Sequence, residues 1–242
     1  MIKKILSTLL VSSAFLVFAA TGTMADRPTF AIGYTAAYGG YEATGQELEG
    51  KSGTTQEINK TSEAAEIGYS SIFIEVSFAD RVTVGASWMV DAVTTAMQER
   101  TDTSCTSNVP ITPGCSMTGD AGVDTGTSTV KAEFSNLVTG YVELNIWNGL
   151  YAKYGIMEMD VNTQESLHTD SSYPNTTMDG ETYGFGWKGS FDNGVFIKTE
   201  TLMHDWSDLK LEGTGATGTD NNTSVEASLT GAVATISIGK AF

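Results

Sequence analysis

Basic residues are few: 13 lysines and arginines stand against 29 aspartates and glutamates, for a formal net charge of −16. With no basic stripe to displace counterions, nucleic acid is excluded as a partner. Hydrophobic residues make up only 40% of the chain, little for an ordinary buried core. Beyond the first 25 residues no stretch is apolar enough to span a membrane as a helix. Cys105 and Cys115 are the two cysteines, and His168 and His204 the two histidines. Neither histidine stands at ligand-like spacing from a thiol, so no metal site is expected. No phosphate-cradling glycine loop occurs, and no cofactor is implied.

What is present begins with a leader. Met1 to Ala25 carries Lys3 and Lys4, an apolar run from Ile5 to Ala20, and Thr23-Met24-Ala25 ahead of Asp26. A charged start, a short apolar middle and small residues at a cleavage point make a secretory signal peptide, with an apolar part too short for a spanning helix. Residues 1–25 are therefore expected to be removed, leaving 26–242 as one domain. In an exported chain, Cys105 and Cys115 most simply pair with each other. They share a polar segment with the turn pair Pro113-Gly114, and closing so short a loop contributes about 2–3 kcal/mol in the chain-entropy model.

The rest of the chain runs in a period of two. Phe30, Ile32, Tyr34, Ala36 and Tyr38 share one parity, as do Val82, Val84, Ala86, Trp88 and Val90. The last stretch sets Ala232, Ala234, Ile236 and Ile238 on one parity and ends on Phe242. Each reads as a strand with one apolar face. In the second strand the apolar set moves from Ala65, Ile67 and Tyr69 to Ile72, Ile74, Val76 and Phe78, so a β-bulge is expected near Ser70-Ser71. The fourth keeps phase, which places Val130, Ala132 and Phe134 outward with Val142, Leu144 and Ile146. Short turns at Ala79-Asp80-Arg81, Asn148-Gly149 and Asp192-Asn193-Gly194 alternate with polar segments at 42–63, 96–127, 162–178 and 212–222, read as long loops.

Eight strands in that rhythm bring both termini to the short-turn end. Two groups of aromatics fit membrane interfaces: Phe78, Trp147, Tyr151, Phe191, Phe196 and Phe242 near the short turns, and Tyr38, Tyr41, Trp88 and Tyr183 toward the long loops. A mean hydropathy of −0.07 suits a wall that needs apolar residues only at alternate positions. The leader, the hairpin rhythm and the terminal Phe242 resemble the small eight-stranded bacterial outer-membrane barrels of the OmpA, OmpX and Opa kind. Lys240 departs from the aromatic or aliphatic residue usual at its place in that family. The resemblance implies an all-β fold, a transmembrane antiparallel up-and-down β-barrel of eight strands in the outer membrane of a Gram-negative bacterium. It also implies periplasmic N- and C-termini, four extracellular loops, contact with outer-membrane lipid and lipopolysaccharide, and recognition of the C-terminal strand by the barrel assembly machinery. The alternative, a soluble sandwich, needs a second layer over every apolar face.

So small a barrel has an interior that side chains fill. The positions read as inward carry Glu75, Glu133, Glu143, Glu200 and Glu226 against Lys131, Lys153, Lys188 and Lys198. Enclosed charges must pair, so these nine are expected to form an ion-pair network plugging the lumen. It serves either as a satisfied core or as the lining of a narrow porin-like channel for small ions or solutes. The acidic loops either share divalent cations with lipid phosphates or simply stay solvated. Some small outer-membrane barrels modify lipid A, and Ser166, His168, Asp170 and Ser171 make a nearby set. They lie among turn formers with no rigid support, so no catalytic residue is assigned. The expectation is a non-enzymatic envelope protein whose loops meet a surface ligand of unknown identity.

Overall fold

The computed structural model describes residues 28–49, 57–79, 81–105, 123–166, 172–213 and 224–242, and every regular element among them is a strand. In chain order these are β1 Thr29–Glu49, β2 Glu57–Phe78, β3 Val82–Met89, β4 Val93–Thr94, β5 Gln98–Cys105 and β6 Val123–Trp147. There follow β7 Leu150–Ser166, β8 Thr176–Ser190, β9 Val195–Trp206, β10 Leu209–Glu212 and β11 Ser224–Ala241. β3, β4 and β5 succeed one another along β6, and β9 and β10 along β11, so the wall has eight staves. All neighbours are antiparallel, and β1 pairs with β11 from Ala31↔Ala241 to Leu48↔Ser224, which closes the ring. Closure satisfies the backbone groups that an open sheet edge would leave unpaired.

Short turns fix the register at one end. Asn148 and Gly149 both have positive φ, 47° and 83°, the conformation a two-residue type I′ hairpin demands and the reason Asn-Gly is favoured there. Gly194, at φ 81°, donates its N–H to the Phe191 carbonyl at 2.9 Å.

On this half of the barrel the outward residues are apolar and uncovered, among them Ile32, Ile74, Leu144, Phe185, Ile236 and Ile238. From Phe30 to Tyr38 the outward run covers about 27 Å of strand at about 3.4 Å per residue. At a tilt of about 40° that is about 21 Å of height, close to the roughly 25 Å apolar band of a membrane barrel.

The other half is inverted, with its apolar residues inside. Leu137, Met157, Met159, Val161, Met178 and Trp206 form one buried cluster, against which Tyr69, Met89, Phe134, Leu209 and Leu229 pack. The outer face at this level carries Glu158, Asp160, Asp179, Glu181 and Asp205, which stand opposite one another, opposite Ser135, Thr177 and Thr230, and, for Glu158 and Glu181, also opposite Val138 and Ile156.

Several sequence expectations change here. Parts of the segments read as loops are ladder: β1 pairs with β2 without interruption from Thr29↔Ser77 to Glu49↔Glu57. β5 likewise pairs with β6 from Gln98↔Val130 to Cys105↔Val123. Polar residues on both faces erase the period-two signal, while backbone hydrogen bonds hold the strands regardless of side chain.

The bulge expected at Ser70-Ser71 does not exist, since β2 keeps register with β1 throughout. Its apolar residues change parity because they move from the interior to the outer face. In β6, where no irregularity was expected, the register shifts between Ser135 and Val138, with Asn136 at φ 54°. The extra residue turns Phe134 inward, opposite buried Val161. Val130 and Ala132 follow it, and Lys131 and Glu133 face out. Of the aromatics assigned to the interfaces, Tyr41, Tyr151 and Phe196 are buried inside the barrel instead.

Candidate functional site

Six of the nine charges expected in the lumen meet there. β9 supplies Lys198 and Glu200 on its inward parity, and β2, β6, β7 and β8 bring Glu75, Glu143, Lys153 and Lys188 to the same level. Lys198, only 2% exposed, places Nζ 2.5 Å from Glu75 Oε1, 2.5 Å from Glu143 Oε1 and 3.8 Å from Glu200 Oε1. Lys153 Nζ lies 2.9 and 3.1 Å from the two Glu200 oxygens and 3.8 Å from Glu143. Lys188 Nζ stands 4.0 Å from Glu75 Oε2. Three carboxylates thus face three ammonium groups, and the enclosed charge balances, as a buried network requires.

The remaining three lie on the outer face, in the half of the barrel beyond the apolar belt. Glu133 accepts from Asn162 Nδ2 at 3.3 Å and Gln164 Nε2 at 3.1 Å. Lys131 shares its face, because the bulge at Asn136 reverses both. Glu226 pairs with Lys210 at 3.0 Å, with side chains 37% and 59% exposed, and accepts from Gln46 Nε2 at 2.7 Å. The hydrogen bond from Lys210, then the one from Gln46 and the Lys210 charge, hold the Glu226 carboxyl below the usual carboxylate range. The even parity of Ala232 and Ala234 in β11 runs unbroken to Glu226, so the sequence already held the sign that this residue faces out.

Two tyrosines join the site: Tyr141, to which the sequence reading gives no role, and Tyr151, which it sets at a membrane interface. Tyr141 donates to Glu75 Oε1 at 2.8 Å and Tyr151 to Glu200 Oε1 at 2.8 Å, while Thr235 donates to Glu200 Oε2 at 3.0 Å. Each ring lies over a glycine of a neighbouring strand. A Cβ on Gly85 would come within 2.5 Å of the Tyr141 ring, and one on Gly186 within 2.3 Å of Tyr151. Glycines on the inward parity beside an aromatic are the pattern that could have found them.

The network is covered on both sides. Toward the short turns Phe73 and Phe196, 3% and 1% exposed, pack with ring centroids 6.2 Å apart. Toward the long hairpins the Tyr41 hydroxyl meets His204 Nδ1 at 2.9 Å, and the Met157–Trp206 cluster closes the interior beyond. Between the charges and that cluster lies an internal cavity of about 40 Å³, lined by Lys153, Thr182, Lys198, Glu200, His204 and Thr235 among others.

Cys105 ends β5, whereas Cys115 lies outside the described residues, and the pairing of the two with it. The same holds for residues 1–25 and for His168, Asp170 and Ser171. Phe242 ends the chain beside β1, its N–H bonded to the Phe30 carbonyl at 2.8 Å.

No family model matches the sequence, and no curated protein does. Among solved structures, the chain is similar to the outer membrane protein OprG of Pseudomonas aeruginosa at 12% identity and TM-score 0.44, over 87% of this chain and 96% of that one. It is also similar to the outer membrane protease OmpT of Escherichia coli at 10% identity and TM-score 0.43, over 92% and 99%. The attachment invasion locus protein Ail of Yersinia pestis is similar at 11% identity and TM-score 0.30, over 84% and 98%. By its own strand pairing the chain is an antiparallel up-and-down β-barrel of eight staves.

Proposed function

We propose that this is an integral outer-membrane protein, non-enzymatic, whose membrane half is a closed structural plug and whose long hairpins present a polar surface outside the bilayer. The observation that supports it is the filled lumen: an aromatic layer, a balanced charge network and an apolar cluster stacked across one narrow interior. An interior of eight staves is no wider than its side chains, and the apolar outer belt has no place in water. In this reading the short turns and both termini face the periplasm, and lipid with lipopolysaccharide surrounds the belt. The barrel assembly machinery acts on β11, whose outward Ile236, Ile238 and terminal Phe242 form an apolar edge.

The test is conductance of the refolded protein in planar bilayers, together with swelling of vesicles in disaccharide. The sealed reading expects neither steady conductance nor swelling. Disaccharide uptake at porin-like rates would replace it with the channel reading.

A further inference from the structure

We propose that the outer face of β9 docks a second copy of this chain inside the membrane, centred on Thr199 and Thr201; the proposal rests on the membrane placement above. Outward along β9 run Val195, Ile197, Thr199, Thr201 and Met203, alternating with buried Phe196, Lys198, Glu200 and Leu202. Both threonines are exposed. No serine or threonine faces out at this level on the strands beside them, where β8 presents Tyr183, Phe185 and Trp187 and β11 presents Ala234, Ile236 and Ile238. At about 3.4 Å per residue and a tilt of about 40°, Thr199 and Thr201 stand about 10 and 16 Å above Val195. That is the middle of a belt roughly 25 Å tall.

Each hydroxyl needs an acceptor, and hydrocarbon offers none. Thr199 lies between Trp187 and Ile236, and Thr201 between Phe185 and Ala234, side chains that carry no acceptor. Polar groups left bare at this depth are costly, and a second copy removes that cost. Copies in one bilayer share its normal, so a two-fold axis along the normal brings residues of equal height together. Each threonine then meets its own counterpart, and a hydroxyl, both donor and acceptor, pairs with itself. The shape agrees. An outer groove of about 190 Å³ is lined by Leu150, Phe185, Gly186, Thr199, Glu200 and Thr201. Gly186 and Glu200 are paired and face inward, so they line it with backbone alone. Phe185, 64% exposed, stands at its rim as the knob for the counterpart groove. A lipid tail fills such a groove but accepts no hydrogen bond, which favours the second copy.

The test is association in the bilayer, read as energy transfer between donor- and acceptor-labelled chains refolded into phosphatidylcholine vesicles and diluted with lipid. The native chain is expected to form a reversible dimer, with transfer falling on dilution. Thr199→Val combined with Thr201→Val removes both hydroxyls at nearly constant shape. The dimer dissociation constant should rise about tenfold, the loss of two side-chain hydrogen bonds in lipid. Urea unfolding at high dilution should find that barrel as stable as the native one or more so, which separates lost docking from lost folding. Ala234→Trp, beside Thr201, blocks the approach and gives monomers, whereas Ala86→Trp on β3, across the ring, leaves dimers. Monomers at every dilution, native-like dimers of the double valine variant, or equal loss in the two tryptophan variants overturns the docking surface. A chain that does not enter vesicles overturns the membrane placement first.

Discussion

The membrane half and the outer half of this barrel are built from the same strands turned inside out. In the first, Ile72, Ile74 and Leu144 face out while Glu75, Glu143 and Lys198 are buried. In the second, Met157, Met159 and Trp206 are buried, and the carboxylates of Glu158, Asp160 and Asp205 face out. The solvent outside each level dictates the choice. Lipid takes apolar side chains and forces polar ones to pair within, and water does the reverse.

The inversion is achieved in two ways. β2 and β7 keep their backbone register with β1 and β8 and change the parity of their apolar residues: Tyr69 to Ile72 in β2, Ile156 to Met157 in β7. β6 keeps the even parity of Val130, Phe134, Val138 and Leu144 and inserts the bulge at Asn136 instead.

The largest way to break this contrast is to remove the shared cation. Lys198→Ala leaves Glu75 and Glu143 buried, with only Lys188 at 4.0 Å and Lys153 at 3.8 Å. The expected loss is about 3–5 kcal/mol, read from urea unfolding in vesicles. A loss well under 1 kcal/mol would mean that the network is solvated and the lumen open.

Reversing the face is next in size. Ile74→Arg puts a charge into the apolar belt and is expected to cost about 2–4 kcal/mol, whereas Glu66→Leu on the same parity of β2, eight residues up the strand, gives up only the exposed hydrogen bond from Tyr38 and costs under about 1 kcal/mol. Equal costs would remove the distinction between the two levels.

Truncation in the outer core follows. Met157→Ala is expected to cost about 2–3 kcal/mol by cavity formation, with a smaller loss for Met203→Ala, 43% exposed on the outer face. The smallest effect belongs to the exposed pair. Because Lys210 depresses the folded-state pKa of Glu226, its contribution is present above the ordinary carboxylate range and lost as pH falls through the lowered value. Solvent screening keeps it small, so Lys210→Ala should leave the melting temperature within the spread of repeats at neutral and acidic pH alike.

The membrane half was legible in the sequence because lipid imposes a strict alternation on it. Ile236, Ile238 and Phe242 announce their face, and six of the lumen charges follow by parity. The outer half was not, because the sequence of β1 beyond Tyr41, of β2 before Ala64 and of β5 is polar at both parities, and strands held by backbone pairing alone leave no hydrophobic period. The misplacement of Lys131 and Glu133 has one cause, the extra residue at Asn136, whose left-handed backbone only pairing could reveal. Asn tolerates that conformation better than most residues, but it is too common in turns to mark a bulge unaided.

The inversion is tested most directly by labelling β6 residue by residue, from 130 to 146, with a probe that distinguishes lipid, water and occlusion. Spin labels read against oxygen and a water-soluble nickel complex serve. The structure predicts lipid contact at 138, 144 and 146, water contact at 131 and 133, and occlusion at 130, 134, 139 and 141. Occlusion at 131 and 133 with exposure at 130 and 134 would mean an unbulged strand and contradict it.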